Sequence, residues 1–130
     1  MPKEKDCEIR LGRLEMQIMN VVWEKGKATV HEVKEALGKG RKPAYSTILT
    51  MMRKIEAKGY LEHDVDDRTY VYRPTISQDT ARRSILGDIM DRLFAGSPTL
   101  LLNSLVEQNQ VNDKELAQLK KLINEAAENE

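Results

Sequence analysis

Hydroxylated and basic side chains recur at helical spacing between Pro43 and Lys58. At about 100° of rotation per residue, the side chains within about 60° of Ile48 are apolar, namely Ala44, Met51, Met52 and Ile55. The opposite side carries Ser46, Thr50 and Arg53, with Pro43, Thr47 and Lys54 at its margins. Small hydroxylated side chains let a helix approach the edges of nucleic-acid bases, and Arg can bind guanine. A purely solvated face, the alternative, usually mixes in Glu and Gln, and the first acidic residue here is Glu56.

Further basic residues flank this predicted helix. Arg41 and Lys42 precede it, at the positive end of its dipole, where they suit contact with phosphate; the alternative is a mobile loop. Arg68 could contact the DNA backbone or minor groove, although Asp66 and Asp67 beside it weaken that case. The predicted DNA-contacting residues are Arg41, Lys42, Ala44, Tyr45, Ser46, Thr47, Thr50, Arg53, Lys54 and Arg68.

Charge is divided unevenly along a chain whose formal net charge is zero. Residues 1–75 carry 15 basic and 12 acidic side chains, a net of +3, and residues 76–130 carry 6 and 9, a net of −3. Residues 25–58 carry nine basic and three acidic side chains, a net of +6. This local positive field, and not the net charge, is what a polyanion would meet.

The elements that would position these residues follow from apolar periodicity and helix-end signals. A helix begins near Leu11 and ends at Gly26, a second begins at the capping box of Thr29 and Glu32, and a third begins with Pro43 at its first position. Two strand-like runs, 60–65 and 69–73, flank a turn at 66–68 and predict a hairpin. Helix, helix, turn, helix and hairpin is the order of a winged helix-turn-helix.

The last third of the sequence predicts helices only. One spans about Ser77 to Ala95, a second begins with Ser97 as its N-cap and Pro98 at its first position, and the last begins at Asn112. We therefore expect a mainly α fold with a small β-hairpin. The predicted organisation is a flexible N-terminal tail at 1–10, a winged-helix DNA-binding domain at 11–75 and a helical dimerisation region at 76–130.

Catalytic and metal-binding patterns are absent from the sequence. Cys7 has no neighbouring histidine to activate it, and neither His31 nor His63 has metal ligands at a recognisable spacing. No glycine-rich phosphate loop follows a strand. We expect no enzyme activity and no cofactor. The charged N-terminus and the lack of a long apolar run predict a cytoplasmic protein without direct membrane insertion.

Several blocks of the sequence resemble the penicillinase-repressor (BlaI/MecI-type) transcriptional regulators, from Leu11 to near the C-terminus. The matching blocks are Leu14-Glu15-Met16-Gln17-Ile18-Met19, Val22-Trp23, Thr29-Val30, Glu32-Val33, Ala44-Tyr45-Ser46-Thr47-Ile48-Leu49-Thr50-Met51, Lys58-Gly59 and Tyr70-Val71-Tyr72-Arg73-Pro74. The resemblance implies a homodimeric winged-helix repressor of double-stranded, inverted-repeat operators. It also implies that the C-terminal helices form the dimer interface.

The apolar stripes of these C-terminal helices independently favour a dimer. About 50 residues in three short helices, with Phe94 as their only aromatic residue, bury too little surface to be stable alone. A second copy is the simplest partner, and packing against the N-terminal domain is the alternative. The predicted dimerisation residues are Ile85, Ile89, Leu93, Leu101, Leu105, Leu116, Leu119, Leu122 and Ile123.

The resemblance also concerns regulation. In antibiotic-responsive members, a membrane-bound sensor-protease cascade leads to cleavage between an asparagine and a phenylalanine in the C-terminal region. Asn103 aligns with that asparagine, and Ser104 replaces the phenylalanine. The resemblance thus implies a membrane sensor-transducer protease system as a partner and Asn103–Ser104 as the candidate cleavage site. Copper-responsive members have a cysteine-rich C-terminus, and this chain has no cysteine after Cys7.

Two other hypotheses remain open at the level of sequence. Winged-helix domains also serve as protein-binding modules. A regulator that senses a small molecule between its domains, without proteolytic control, is the second alternative.

Overall fold

The computed structural model describes residues 9–38 and 43–128. Within these ranges the chain forms six helices and one two-stranded sheet: α1 (Arg13–Lys25), α2 (Val30–Ala36), α3 (Tyr45–Ala57), β1 (Leu61–Asp66), β2 (Thr69–Pro74), α4 (Gln78–Leu93), α5 (Pro98–Glu107) and α6 (Asp113–Glu128). The chain divides into two compact units, Met1–Ile85 and Leu86–Glu130. We call them the N-terminal and C-terminal units. The boundary between 75 and 76 expected from the sequence stays a prediction.

Local capping residues determine where α1 ends and where α2 begins. Gly26 closes α1 with φ +86°, a left-handed conformation that costs glycine little. The predicted capping box of α2 is confirmed: Glu32 N–H donates to Thr29 Oγ1 at 3.1 Å, and Thr29 N–H donates to Glu32 Oε1 at 2.9 Å. These reciprocal bonds satisfy two backbone donors that the first turn leaves without helical partners.

The start of α3 differs from the prediction. Ala44 is extended (φ −70°, ψ 155°) and is the N-cap, so the helix begins at Tyr45 and Pro43 is not its first residue. The Ala44 carbonyl accepts from Thr47 N–H at 3.0 Å and Ile48 N–H at 3.1 Å, which closes the first turn. The expectation that Ala44 belongs to the inward face was also wrong, because as the N-cap it precedes the helical turns that pack and is exposed.

One hydrophobic core holds the N-terminal unit together. Ile48, Met52 and Ile55 of α3 are fully buried. They pack in one cluster with apolar residues of α1, α2 and the strands: Ile18, Met19, Val21, Val22, Ala28, Val30, Val33, Leu61 and Tyr72. Because all three buried α3 residues lie on one side, packing determines which side of α3 is exposed.

The hairpin forms the wing. Its antiparallel register pairs Leu61 with Pro74 at one end and Asp66 with Thr69 at the other. Asp67 and Arg68 form the two-residue turn, with φ +52° and +70°, the signs that a type I′ hairpin turn requires. Ala28 and Tyr72 exchange two backbone hydrogen bonds of 2.8 Å, which attach the wing to the segment before α2.

The C-terminal helices begin at the predicted caps. Ser97 Oγ accepts from Leu100 N–H at 3.2 Å, Pro98 is the first residue of α5, and Asn112 Oδ1 accepts from Glu115 N–H at 2.8 Å. Helix α4 is shorter than the predicted Ser77–Ala95, because Ala95 and Gly96 both have positive φ and leave the helix. No side chain of α5 or α6 is buried within the described chain. In the part of the chain that the structure describes, no helix is long and apolar enough to cross a bilayer.

Candidate nucleic-acid interface

The exposed face of α3 carries the hydroxylated and basic side chains singled out in the sequence. Ser46, Thr47, Thr50, Arg53 and Lys54 are all exposed. Tyr45, at the start of the helix, is 49% exposed. The structure therefore brings these six residues together on one helix, on the sides that the core does not cover. We call Ser46, Thr47, Thr50 and Arg53 the α3 face.

The single carboxylate of α3 is held at the wing. Glu56 is bound to His63 on β1, whose Nδ1 lies 2.8 Å from Glu56 Oε2 and 3.0 Å from Oε1. The His63 ring stacks on Tyr70 at 3.9 Å between ring centroids and 10° between planes, and it lies 5.6 Å from the Tyr72 ring. These contacts connect the wing to the C-terminal half of α3.

The Glu56–His63–Tyr70 cluster was not identified from the sequence. Strand alternation places residues i and i+2 on one face, so it could have grouped His63 with Val65 and Tyr70 with Tyr72. It could not have shown which strand residue meets Glu56, because that depends on how the wing packs against α3.

An ion pair joins Lys58, the C-cap of α3, to the buried Glu15 of α1. Lys58 Nζ donates to Glu15 Oε1 at 2.8 Å, to Oε2 at 3.1 Å and to the Arg10 carbonyl at 3.0 Å. Glu15 is only 5% exposed, and Oε1 also accepts from Gly12 N–H at 2.7 Å. Burial raises the pKa of Glu15, but the bonds from Gly12 and Lys58 outweigh burial and lower the pKa overall. Lys58 therefore neutralises a buried carboxylate of α1. Its charge was nevertheless counted in the net of +6 for residues 25–58.

Of the two arginines of the wing, Arg73 forms ion pairs with other described residues and Arg68 does not. Arg73 forms ion pairs with Asp64, at 3.0 Å, and with Glu62, so its charge is compensated on the strands. Hydrogen bonding to Arg73 lowers the pKa of Asp64. Arg68, in the turn, is exposed. It lines one groove of the surface together with Arg53 and Tyr45.

Two of the predicted DNA-contacting residues, Arg41 and Lys42, lie outside the described residues.

The residues predicted for dimerisation and cleavage are accessible to different degrees. The predicted dimerisation residues are exposed or half-buried in the single chain, with Leu93 73% and Leu122 61% exposed. Asn103 is exposed and Ser104 half-buried on α5. Among the described residues, no group of three or more His, Cys, Asp or Glu side chains is arranged to hold a metal ion.

A helix with a small, hydroxylated and basic exposed face, followed by a β-hairpin wing, defines a winged helix-turn-helix of the DNA-binding class. The penicillinase repressor family matches residues 11–125. The chain belongs to this family of transcriptional repressors, and the predicted fold class and family are confirmed. The family is one of DNA-binding regulators and not of enzymes.

Individual relatives agree with this assignment. The penicillinase repressor of Bacillus licheniformis is 25% identical over 116 residues, which cover 89% of this chain and 91% of that protein. The penicillinase repressor of Staphylococcus aureus is 20% identical over 118 residues, which cover 91% and 94%. A mutant MarR from E. coli, solved with operator DNA, is 14% identical over 95% of this chain and 80% of that chain, with a TM-score of 0.54. This last similarity concerns the fold alone.

Proposed function

We propose that this repressor binds an inverted-repeat operator as a homodimer, with α3 of each protomer in the major groove. The observation that carries the proposal is the exposure of the α3 face, since Ser46, Thr50 and Arg53 lie opposite the buried Ile48 and Met52. Had these three residues been buried, α3 could not reach base edges. As its ligand is DNA, we expect the protein to act in the cytoplasm.

The small side chains of the α3 face support contact with base edges. Ser46 and Thr50 are four residues apart and so lie one above the other on the helix. Their hydroxyl groups both donate and accept hydrogen bonds, and the Thr methyl group can contact a thymine methyl group. Lys54 and the segment with Arg41 and Lys42 would contact phosphates, which position the helix without reading sequence.

The exposed apolar side chains of the C-terminal unit support the homodimer. Leu93, Leu122 and Ile123 are each more than half exposed in the single chain. A second copy would remove this apolar surface from water, at roughly 25 cal/mol per Å². Two-fold symmetry would then set the two α3 helices about 10 base pairs apart, or a multiple of that.

Selection of duplexes from a random library, followed by fluorescence anisotropy with the selected sequence, tests this function. We expect an inverted repeat, and a log–log salt slope of about −5 to −10 for a dimer with several phosphate contacts. Thr50→Ala should reduce the preference for the selected duplex over a scrambled one by roughly tenfold. Thr99→Ala, at an exposed threonine of α5, should not. A flat salt slope, or equal affinity for both duplexes, would contradict the proposal.

We further infer that proteolysis at Asn103–Ser104 is the route of inactivation, by way of a membrane sensor-transducer protease system. Cleavage there would separate the helices of the C-terminal unit and remove the avidity of two-site binding. Both residues lie inside α5, and the Asn103 side chain is exposed in the single chain. Mass spectrometry of the protein from antibiotic-treated cells should detect a fragment that ends at Asn103. Intact chains alone would contradict this inference.

A further inference from the structure

A groove on the N-terminal unit runs between α3 and the tip of the wing, and α3 lines it with Tyr45, Leu49 and Arg53. Its polar lining consists mainly of Thr29, His31, Tyr45, Arg53, Arg68 and Tyr70, and its volume is about 410 Å³. We call it the wing groove. Arg53 comes from α3 and Arg68 from the hairpin turn, 15 residues later in the chain. Only the packing of the wing on α3 places both of them at one groove.

Among the described residues that line the wing groove, the two charged side chains, Arg53 and Arg68, are both positive. Neither arginine takes part in any ion pair within the described chain, whereas Arg73 on the same wing is paired twice. In the part of the chain that the structure describes, no carboxylate lines the groove, although Asp67 precedes Arg68 in the turn. Two unpaired guanidinium groups at one concave site favour an anion, and their planar donor sets match the oxygens of phosphate.

The remaining lining residues add hydrogen-bond donors. Tyr45 and Tyr70 both line the groove, and each carries a phenol hydroxyl. The Thr29 oxygen accepts from Glu32 N–H, which leaves its hydroxyl hydrogen for a second partner. Neutral donors around a cationic pair are typical of protein contacts to the DNA backbone.

The position of Arg53 along α3 indicates which part of DNA it meets. Recognition helices contact base edges with their N-terminal residues. Arg53 lies seven residues after Ser46, about 10 Å further along the helix axis. At that point the neighbouring surface is the wing, which flanks the major groove in this class of protein.

We propose that the wing groove binds one backbone phosphate of the operator, held between Arg53 and Arg68, and that Arg53 therefore contacts phosphate and not a base. This proposal rests on the proposed function, because it assigns a second role within the same interface. A free phosphorylated small molecule is the other source of the same chemistry, since 410 Å³ is a volume typical of small-ligand sites.

Methylphosphonate substitution tests the proposal directly. Single phosphates of the selected operator are replaced in turn by neutral methylphosphonates, and affinities are measured for the wild type, Arg53→Ala and Arg68→Asn. Asn is used because residue 68 has φ +70°, which Asn tolerates better than Ala. At one phosphate in each half-site, we expect the substitution to weaken the wild type about tenfold and to leave both variants nearly unaffected.

The same variants should behave alike on all DNA sequences. Arg53→Ala and Arg68→Asn should each weaken selected and scrambled duplexes by the same factor and reduce the salt slope by about 0.9. The double variant should lose less than the product of the single losses, because both side chains hold one phosphate. Arg82→Ala is the matched control: Arg82 is exposed on α4 outside the groove, and we expect no change.

Three results would overturn the proposal. A relaxed preference at one base pair in Arg53→Ala would show that Arg53 contacts a base. Sensitivity of the two variants to different phosphates would show that they do not share one. Unchanged DNA affinity in both, together with inorganic phosphate shifting the amide NMR signals of the groove, would show a site for a free anion. In each case the wild type would still prefer its selected operator, whereas failure of the proposed function would abolish that preference.

Discussion

The ion pair between the buried Glu15 and the partly exposed Lys58 allows us to predict how much one contact contributes to the stability of the N-terminal unit. Lys58→Met removes the ammonium group but keeps much of the aliphatic stem. The Glu15 carboxylate is then left at 5% exposure, with Gly12 N–H as its remaining partner among the hydrogen bonds above. We expect the folded state to lose stability, and α3 to lose its fixed attachment to the start of α1.

The expected magnitude follows from the geometry. Leaving a fully buried charge without its partner costs about 3–5 kcal/mol, and a hydrogen bond to a charged group is worth about 1.5–3 kcal/mol. The Lys58 side chain is 35% exposed, so water can partly replace the ammonium group. We therefore expect Lys58→Met to lower the free energy of unfolding by about 2 kcal/mol at pH 7. In a Glu15→Gln background, where no buried charge remains, the same change should cost less than about 1 kcal/mol.

The penalty should depend on pH. The pKa of Glu15 in the folded protein lies below its ordinary value of 4.5, so the ionised carboxylate adds stability above that value. This stability is lost as the pH falls through the lowered pKa. Without Lys58, its hydrogen bond and its charge no longer lower the pKa of Glu15, so this pKa is higher than in the wild type and the carboxylate is neutralised at a higher pH. The Lys58→Met penalty should be complete at pH 7 and smaller at pH 4.

Urea unfolding followed by Trp23 fluorescence measures these effects. Trp23 is the only tryptophan, and its Nε1–H donates to the Ile76 carbonyl at 2.8 Å within the N-terminal unit. Lys25→Met, at an exposed lysine of α1, is the control and should change stability by less than about 0.5 kcal/mol. A Lys58→Met penalty equal to that of the control, or one of the same size at pH 4 and pH 7, would refute the reasoning.

Three further perturbations test other parts of the structure. Leu119→Asp should dissociate the proposed homodimer by burying an unpaired charge, and sedimentation equilibrium should then give one chain's mass with Trp23 fluorescence unchanged; a persistent dimer would contradict the interface. Tyr72→Phe should leave the free energy of unfolding in urea unchanged or raise it by about 1 kcal/mol, because the Tyr72 hydroxyl is buried without a hydrogen-bond partner among the described residues. A large loss of stability would mean that this hydroxyl does form a hydrogen bond. Gly26→Ala should lower the free energy of unfolding by about 1 kcal/mol, because Gly26 has φ +86°, which Ala adopts only with strain, although an added Cβ would meet no atom within 4 Å. An unchanged urea midpoint would exclude strain at this cap.

Much of the fold was predictable because its signals are local. The caps at Thr29, Ser97 and Asn112 each satisfy a backbone donor three residues away, so residue type and spacing suffice to locate them. The hairpin turn and the apolar side of α3 are likewise decided within a few residues. The sequence placed the start of α3 wrongly, at Pro43, because Pro suits several positions near a helix start. Which residue is the N-cap, here Ala44, depends on the backbone conformation.

The residue types of the interface were thus determined by the sequence, and their grouping by the tertiary structure. The sequence alone identified the hydroxylated and basic side of α3. It did not show that Lys58 forms an ion pair with Glu15, 43 residues earlier. Nor did it show that Glu56 binds His63 or that Arg53 and Arg68 line one groove. Each of these contacts joins different elements, and its formation depends on packing angles set by the whole core. The same lysine or arginine can meet a carboxylate, solvent or DNA, and only the packed chain decides which.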